Sequence, residues 1–88
     1  MKKTKSWYLY IILTEKGALY TGITTDLERR FSEHAMDKKK GAKFFRSTKP
    51  VKIVFTKKFK NRSLASKFEA KVKKMKREEK LKLCGNSI

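Results

Sequence analysis

The chain has 88 residues, and its 25 Lys and Arg against 8 Asp and Glu give a net charge of +17. A chain of this length can bury one modest core, so we expect a single domain over residues 1–88, with its core from about 7 to 81 and a basic N-terminal and a short C-terminal tail. The hydrophobic share of 39% is too high for a disordered tail. The charge excess predicts a nucleic-acid partner, with a solubilising surface or an anionic membrane surface as alternatives.

Targeting and redox signals point to the cytoplasm. Cys84 is the one cysteine, so no internal disulfide can form, which suits a reducing compartment. No apolar run is long enough for a transmembrane helix. The start at Met1–Lys5 is basic like a signal peptide, but Trp7–Leu13 is too short and too rich in tyrosine to be its apolar region, and no small-residue cleavage site follows. We therefore predict a cytoplasmic protein without a membrane partner.

The first half of the chain predicts a β-hairpin. Trp7–Leu13 is apolar on both alternating faces, which is typical of a central strand, and Ala18–Gly22 is its predicted partner. A three-residue loop ending in a bulge at Gly17 connects them. This register pairs Thr14 with Ala18, Ile12 with Tyr20, and Tyr10 with Gly22. The two tyrosines then lie on the same face as diagonal neighbours, whereas a loop one residue longer would separate them.

A capping box at Thr25–Glu28 predicts a helix from about Asp26 to Met36. Its apolar stripe consists of Leu27 and Phe31. Arg30 and His34 are four residues apart and fall on the same side as this stripe, while Arg29 points outward. Polar groups on a core-facing side are destabilising unless they are paired or line a cleft.

The second half predicts a strand and a long helix. A basic turn at Asp37–Gly41 and a helical turn at Ala42–Arg46 precede a strand at Val51–Phe59. The long helix starts at Asn61 or Ser63, runs to about Leu81, and is followed by Gly85. Its predicted apolar stripe is Leu64, Phe68, Val72 and Met75. The order is ββαβα, which predicts an α+β fold.

Three motifs together resemble the GIY-YIG nuclease superfamily. They are Tyr8-Leu9-Tyr10, then Tyr20-Thr21-Gly22, then the segment from Asp26 to His34 that contains Arg30. Each tripeptide alone is a weak signal, but their spacing, the arginine helix and the later glutamate helix form a strong one. The resemblance covers roughly Trp7 to Leu81 and is closest to small stand-alone bacterial members. It implies a small three-stranded antiparallel sheet flanked by helices, in agreement with the pattern of elements.

Several residues depart from the family motifs. Tyr8 replaces a glycine, and Leu9 and Thr21 each replace an isoleucine, but both terminal tyrosines and Gly22 are kept. Lys43 stands where some members carry a second histidine. Some relatives also have an asparagine near the domain end, but the spacing of Asn86 from Glu69 fits that pattern poorly.

The resemblance implies hydrolysis of a DNA phosphodiester with one divalent metal ion, Mg²⁺ or Mn²⁺. By the same resemblance, Tyr20 would be the general base or would orient the attacking water, and Tyr10 would be its companion. Arg30 would contact the scissile phosphate and Glu69 would bind the metal. His34 matches a site histidine of some members, either as proton donor to the leaving oxygen or as a hydrogen-bonded cleft residue.

Elementary chemistry shows what each of these roles requires. A phosphodiester under attack gathers negative charge, which a fixed guanidinium such as Arg30 can stabilise. A tyrosine with its ordinary pKa of about 10 is a poor base at pH 7 unless cations lower that pKa. A carboxylate such as Glu69 is a hard ligand for Mg²⁺. The alternatives are a surface arginine, aromatic residues that only pack, and a glutamate paired with lysine.

Two functions of different class remain. The first is a metal-dependent endonuclease, and the second is a non-catalytic basic module that binds nucleic acid; a ribosomal-type RNA-binding protein ranks below both because it does not require the ordered motifs. We predict a monomer that binds DNA. Because this chain has no second domain, we also predict a separate targeting protein as a further partner. The predicted nucleic-acid contacts are Arg29, Lys43, Arg46, Lys67 and Lys71.

Overall fold

The computed structural model describes residues 6–36 and 43–85. Within these ranges the elements are β1 (Trp7–Thr14), β2 (Leu19–Thr24), α1 (Leu27–Met36), a short 3₁₀ turn (Lys43–Arg46), β3 (Pro50–Phe59), α2 (Arg62–Lys73) and α3 (Arg77–Cys84). The strands form one antiparallel sheet in the order β2-β1-β3, which confirms the α+β class and the central position of the first strand. The predicted basic turn at 37–41 and the residues Ala42 and Asn86 lie outside the described residues.

The hairpin register is confirmed. Tyr10 lies opposite Gly22 and Ile12 lies opposite Tyr20. The loop closes because the Thr14 N–H donates to the Ala18 carbonyl at 2.9 Å, and Gly17 takes a positive φ of 83° that L side chains rarely adopt. Both tyrosines therefore lie on one face of the sheet.

The central strand is buried on both sides. One face of the sheet packs on α2 and α3 through a core made of Leu9, Ile11, Val54, Val72 and Cys84. The other face, towards α1, holds a core made of Tyr10, Ile12 and Phe45. Successive side chains of a strand point to opposite faces, so alternate residues of β1 stabilise two separate layers. Each buried Leu or Ile side chain contributes about 1.5–3 kcal/mol to the free energy of unfolding.

Helix α1 begins one residue later than its predicted box. The Asp26 carboxylate accepts a hydrogen bond from the Arg29 N–H at 3.0 Å, and Asp26, not Thr25, is therefore the cap. The Thr24 hydroxyl in turn accepts from the Asp26 N–H at 3.1 Å. The chain thus turns sharply from β2 into α1.

The prediction of one long C-terminal helix is wrong. Asn61 caps α2, as one of the two predicted starts required, because its Oδ1 accepts from the Leu64 N–H at 2.9 Å. The helix ends at Lys73, and a second one starts where the Glu79 carboxylate accepts from the Lys76 N–H at 2.9 Å. This break turns α3 so that Cys84 joins the same core as Val72.

The predicted apolar stripe of α2 also needs one correction. Leu64 is 43% exposed, whereas Ala65 beside it is fully buried. Phe68, Val72 and Met75 pack on the core as expected. A small residue faces the sheet at the start of α2, which allows a close approach of the two backbones.

None of the helices in the described part of the chain is both long and apolar enough to cross a membrane.

Candidate active site

Strands β1 and β2 and helix α1 bring four of the predicted residues together. The ring centroids of Tyr10 and Tyr20 are 6.3 Å apart, and the His34 ring lies 6.0 Å from Tyr10 and 5.4 Å from Tyr20. Arg30 lies one turn before His34 on α1 and close enough to Tyr10 to affect its pKa. The grouping follows from the diagonal position of the tyrosines and the i,i+4 spacing of the helix residues.

The Tyr10 hydroxyl is the centre of this group. A hydrogen bond of 2.9 Å joins it to Nε2 of His34, and the Arg30 guanidinium lies near enough to act on its pKa. Burial, and then the nearby Tyr20, raise the pKa of Tyr10 to about 12, although the Arg30 hydrogen bond and charge act in the opposite direction. Tyr10 is therefore a neutral hydroxyl at physiological pH.

Gly22 makes room for Tyr10. A Cβ at this position would overlap the Tyr10 hydroxyl and would lie 2.6 Å from its Cζ. The glycine of the second tripeptide is thus required by the ring on the neighbouring strand and not by a special backbone angle, since Gly22 is not among the glycines with positive φ. The two tripeptide motifs form one packing unit.

His34 is buried in an aromatic environment. Its ring centroid lies 4.5 Å from that of Phe45. Burial, followed by the charge of Arg30, lowers the pKa of His34 to about 4, with Glu33 acting in the opposite direction. The imidazole is therefore neutral at pH 7.

Arg30 is held by Glu33, a residue that the sequence analysis did not single out. Its Nη1 donates to Glu33 Oε1 at 2.9 Å. Burial alone would lower the pKa of Arg30, but the hydrogen bonds to Glu33 and Tyr10 raise it. The i,i+3 spacing of the two residues could have predicted this pair. The side chain of Arg29 is 59% exposed against 28% for Arg30, which agrees with its predicted outward direction.

Two phenylalanines of the 3₁₀ turn also contact Tyr20, and these contacts were not predicted from the sequence. The centroid of Tyr20 lies 5.4 Å from that of Phe44 and 4.9 Å from that of Phe45. Phe45 is buried, while Phe44 remains 37% exposed beside Tyr20. Their adjacency in sequence carried no signal of this contact, because it depends on how the segment before β3 folds back over the hairpin.

Glu69 lies on α2, apart from the hydrogen-bonded group. Its Oε2 is 3.2 Å from Nζ of Lys73, and its side chain is 22% exposed. Its charge is among the smaller causes of the raised Tyr10 pKa, which indicates that it faces the same region. No cluster of three or more potential metal-ligating side chains occurs in ranges 6–36 and 43–85. One carboxylate nevertheless fits Mg²⁺, which keeps several waters and commonly uses one or two protein carboxylates with substrate phosphates.

The predicted nucleic-acid contacts are distributed over several elements. Arg29 on α1, Lys43 in the 3₁₀ turn, and Lys67 and Lys71 on α2 are all exposed. The side chain of Arg46 lies outside what the structure describes. Their exposure is compatible with binding to phosphates.

Comparisons with known proteins agree with these observations. The family described as the GIY-YIG catalytic domain matches residues 6–82. A UPF0213 protein of Cupriavidus pinatubonensis is 40% identical over 84 residues, covering 96% of this chain and 91% of the relative. One from Enterococcus faecalis is 44% identical over 82 residues, with 91% of each chain covered. The solution NMR structure of a UPF0213 protein from Bacillus halodurans is 37% identical, with a TM-score of 0.56 over 89% of this chain and 81% of that one.

Proposed function

Because the chain belongs to the GIY-YIG family, we propose that it is an endonuclease that hydrolyses DNA phosphodiester bonds with one divalent metal ion, Mg²⁺ or Mn²⁺. The observation that carries the proposal is the hydrogen-bonded group of Tyr10, Arg30 and His34 beside Tyr20. A purely structural core would not need a guanidinium, an imidazole and two phenols so close together.

Arg30 would bind the scissile phosphate. Its bond to Glu33 and its proximity to Tyr10 hold the guanidinium in place on α1 before substrate arrives. A donor fixed in advance stabilises developing charge without reorganisation during the reaction, and such donors contribute strongly to catalysis. Glu33 is accordingly a positioning residue.

The two tyrosines would have different roles. A hydroxyl with a pKa of about 12 does not give up its proton at neutral pH, so Tyr10 is a poor base. We assign the water-orienting or general-base role to Tyr20, which is less buried than Tyr10 and lies beside the exposed Phe44. Tyr10 would position Arg30.

His34 would position Tyr10. A neutral imidazole with a pKa of about 4 holds no extra proton to pass to a leaving oxygen at pH 7. Its Nε2 is engaged with the Tyr10 hydroxyl. We therefore favour the hydrogen-bonded alternative for His34 over the role of proton donor.

Glu69 would hold the metal ion. When bound, such an ion neutralises charge on the phosphate and lowers the pKa of a coordinated water. The Glu69 carboxylate would exchange its contact with Lys73, at 3.2 Å, for the ion. Exposed i,i+4 pairs of this kind contribute only about 0.3–0.5 kcal/mol, so this exchange is not a large barrier.

We propose DNA as the substrate and the cytoplasm as the compartment. The net charge of +17 supports a polyanionic substrate. Cys84 is buried, and burial raises the pKa of its thiol, so it has no place in the chemistry.

The direct test is incubation with branched, flapped, single-stranded and duplex DNA, with Mg²⁺, Mn²⁺ or EDTA. We expect metal-dependent products from at least one substrate. Tyr20→Phe keeps the ring and removes the hydroxyl, so it controls for contaminating nuclease and should yield no product. Binding of all four substrates without cleavage by the wild type would instead establish the non-catalytic binding module.

A further inference from the structure

A cleft adjoins the group around Tyr10, at the end of the sheet where β1 begins and β2 ends. Its volume is about 420 Å³, and its wall includes Trp7 of β1, Thr24 at the end of β2, Arg29 and Arg30 of α1, and Arg62 at the start of α2. Arg30 therefore belongs both to this cleft and to the hydrogen-bonded group with Tyr10.

The cleft combines positive charge with an aromatic ring. Three arginines line it against one carboxylate, that of Glu33. The guanidinium carbon of Arg62 lies 5.8 Å from the centroid of the Trp7 ring, which is only half-buried. Arginines bind phosphate oxygens in a bidentate manner, and an indole presents a flat surface on which a base can stack. This pair of groups suits a nucleotide better than an inorganic anion or an apolar ligand.

The cleft lies next to the place where the proposed function puts the scissile phosphate. Arg62 and Glu69 are seven residues apart on α2, so they lie on the same side of the helix about 10 Å from each other along its axis. Arg30 connects the cleft to Tyr10 on the other side. A strand cleaved between Arg30 and Glu69 would thus place a neighbouring nucleotide at the cleft.

We propose that this cleft binds one unpaired nucleotide of the DNA strand adjacent to the scissile phosphate. Its base stacks on Trp7, and its phosphate contacts Arg29 and Arg62. The proposal rests on the proposed nuclease function. It adds the condition that the nucleotide beside the cleavage site is unpaired, since a base can stack on Trp7 only after it has left the duplex.

Trp7 makes the proposal directly testable because it is the one tryptophan of the chain. Its emission is followed in EDTA, where no cleavage occurs, while fluorescence anisotropy of a labelled strand reports binding independently. The probes are an oligothymidylate and an abasic strand of the same length and phosphate number. We expect saturable quenching by the oligothymidylate and far weaker quenching by the abasic strand.

Other results overturn the proposal. Equal quenching by both strands, binding of the oligothymidylate without any change in emission, or no binding at low salt would each show that no base stacks on Trp7. Failure of the nuclease function is a separate result, since quenching in EDTA does not depend on cleavage.

Variants separate stacking and phosphate contact from general charge. Arg62→Gln keeps the reporter and should weaken oligothymidylate binding about tenfold, whereas Lys82→Gln on the exposed surface of α3 removes the same charge and should have little effect. Trp7→Leu should also weaken binding about tenfold, and Trp7→Phe, which keeps an aromatic face, should bind nearly as the wild type does. Equal affinities for Arg62→Gln and Lys82→Gln would contradict the assignment even if Trp7→Leu failed to fold.

Discussion

At the scale of single residues, the site is organised around a hydroxyl that keeps its proton. Tyr10 is 2% exposed, contacts His34, lies near Arg30, and packs against Gly22, where a Cβ would overlap its hydroxyl. Each member of this group limits the movement of the next. The arrangement holds Arg30 where a phosphate could meet it.

Replacing Arg30 with Ala should reduce the cleavage rate by about 10²–10³, because a donor to the developing charge is lost. DNA affinity should fall little, since Arg30 is one of 25 Lys and Arg residues. Single-turnover cleavage and filter binding measure the two effects. Arg77→Ala removes the same charge from the exposed first turn of α3 and is the matched control; equal loss of rate in both variants would contradict the assignment of Arg30.

The stability of the protein should decrease as pH falls from about 6.5 to 4. His34 has a pKa of about 4 in the folded state and about 6.5 when unfolded, so in this window the unfolded chain binds the extra proton. The stability that depends on a neutral His34 is fully present above pH 6.5. About 2–3 kcal/mol of it is lost by pH 4. Urea unfolding at several pH values measures it.

The control for the pH prediction is His34→Gln, which can still bond to Tyr10 but does not titrate. His34 is the only histidine of the chain, so the difference between the two pH curves isolates its contribution from that of the carboxylates. Parallel curves would show that His34 does not titrate differently on folding.

Thr21→Val should stabilise the fold by about 1 kcal/mol. The Thr21 hydroxyl is buried and makes no hydrogen bond in the described part of the chain, and valine has nearly the same shape. Thr14→Val is the matched control, because the buried Thr14 hydroxyl accepts from the Ala18 N–H at 3.0 Å and its loss should destabilise. Denaturant titrations of the three proteins give the signs, and destabilisation by both substitutions would refute the idea that Thr21 lacks a partner.

At the scale of the elements, α2 connects the core to the proposed chemistry. Its face towards the sheet carries Ala65 and Val72, and its adjacent side carries Arg62 and Glu69. The break after Lys73 ends this helix and turns α3 back onto the same core. A helix continued straight from α2 would carry its last turns away from the sheet.

Glu69→Gln should abolish both metal binding and cleavage while hardly changing stability. The substitution keeps the volume and the helix propensity, and the ion pair with Lys73 that it removes contributes only about 0.3–0.5 kcal/mol. Calorimetric titration with Mn²⁺ and thermal unfolding measure the two properties. Glu78→Gln on the exposed face of α3 should bind Mn²⁺ as the wild type does.

Two results would change the assignment of Glu69. Unaltered Mn²⁺ binding by the Glu69→Gln variant would place the ligand elsewhere. Unfolding many degrees lower would identify Glu69 as a structural ion-pair residue.

At the scale of the whole molecule, the main feature is the excess of positive charge on the surface. Exposed basic residues occur on α1, in the 3₁₀ turn, on β3 and along α2 and α3. A surface of this kind attracts any polyanion and does not distinguish sequences. Any selectivity would then depend on local features, such as the proposed nucleotide cleft that Trp7 and three arginines line.

DNA affinity should fall by orders of magnitude between low and physiological salt. Each phosphate neutralised adds about 0.9 to the slope of log K against log salt on duplex DNA. The double variant Lys67→Gln/Lys71→Gln, which removes two exposed cations of α2, should lower that slope by nearly 2. Anisotropy titrations at four salt concentrations give the slopes; a salt-independent affinity would contradict electrostatic binding.

The hairpin and α1 could be predicted because their signals are local. A glycine in a three-residue loop sets the register, and the register places Tyr10 against Gly22 without reference to the rest of the chain. Helical periodicity likewise placed His34 on the buried side of α1. The family motifs rest on these same short-range features, and most of the candidate site could therefore be predicted.

Contacts between distant segments could not be predicted in this way. The helix predicted to run to Leu81 breaks after Lys73 because two shorter helices bury Val72 and Cys84 in one core, although lysines there are good helix formers. Likewise, only the folding of the 3₁₀ turn over the hairpin brings Phe45 to His34.

The amino-acid sequence by itself determined the charge, the strand register and the family of this protein, since these follow from composition and from residues close together in the chain. The tertiary structure alone decided the protonation of Tyr10 and His34, because burial and neighbouring charges raise one pKa and lower the other. It also decided that Trp7 and Arg62, 55 positions apart, share the wall of one cleft, because that contact forms only when α2 packs on the sheet.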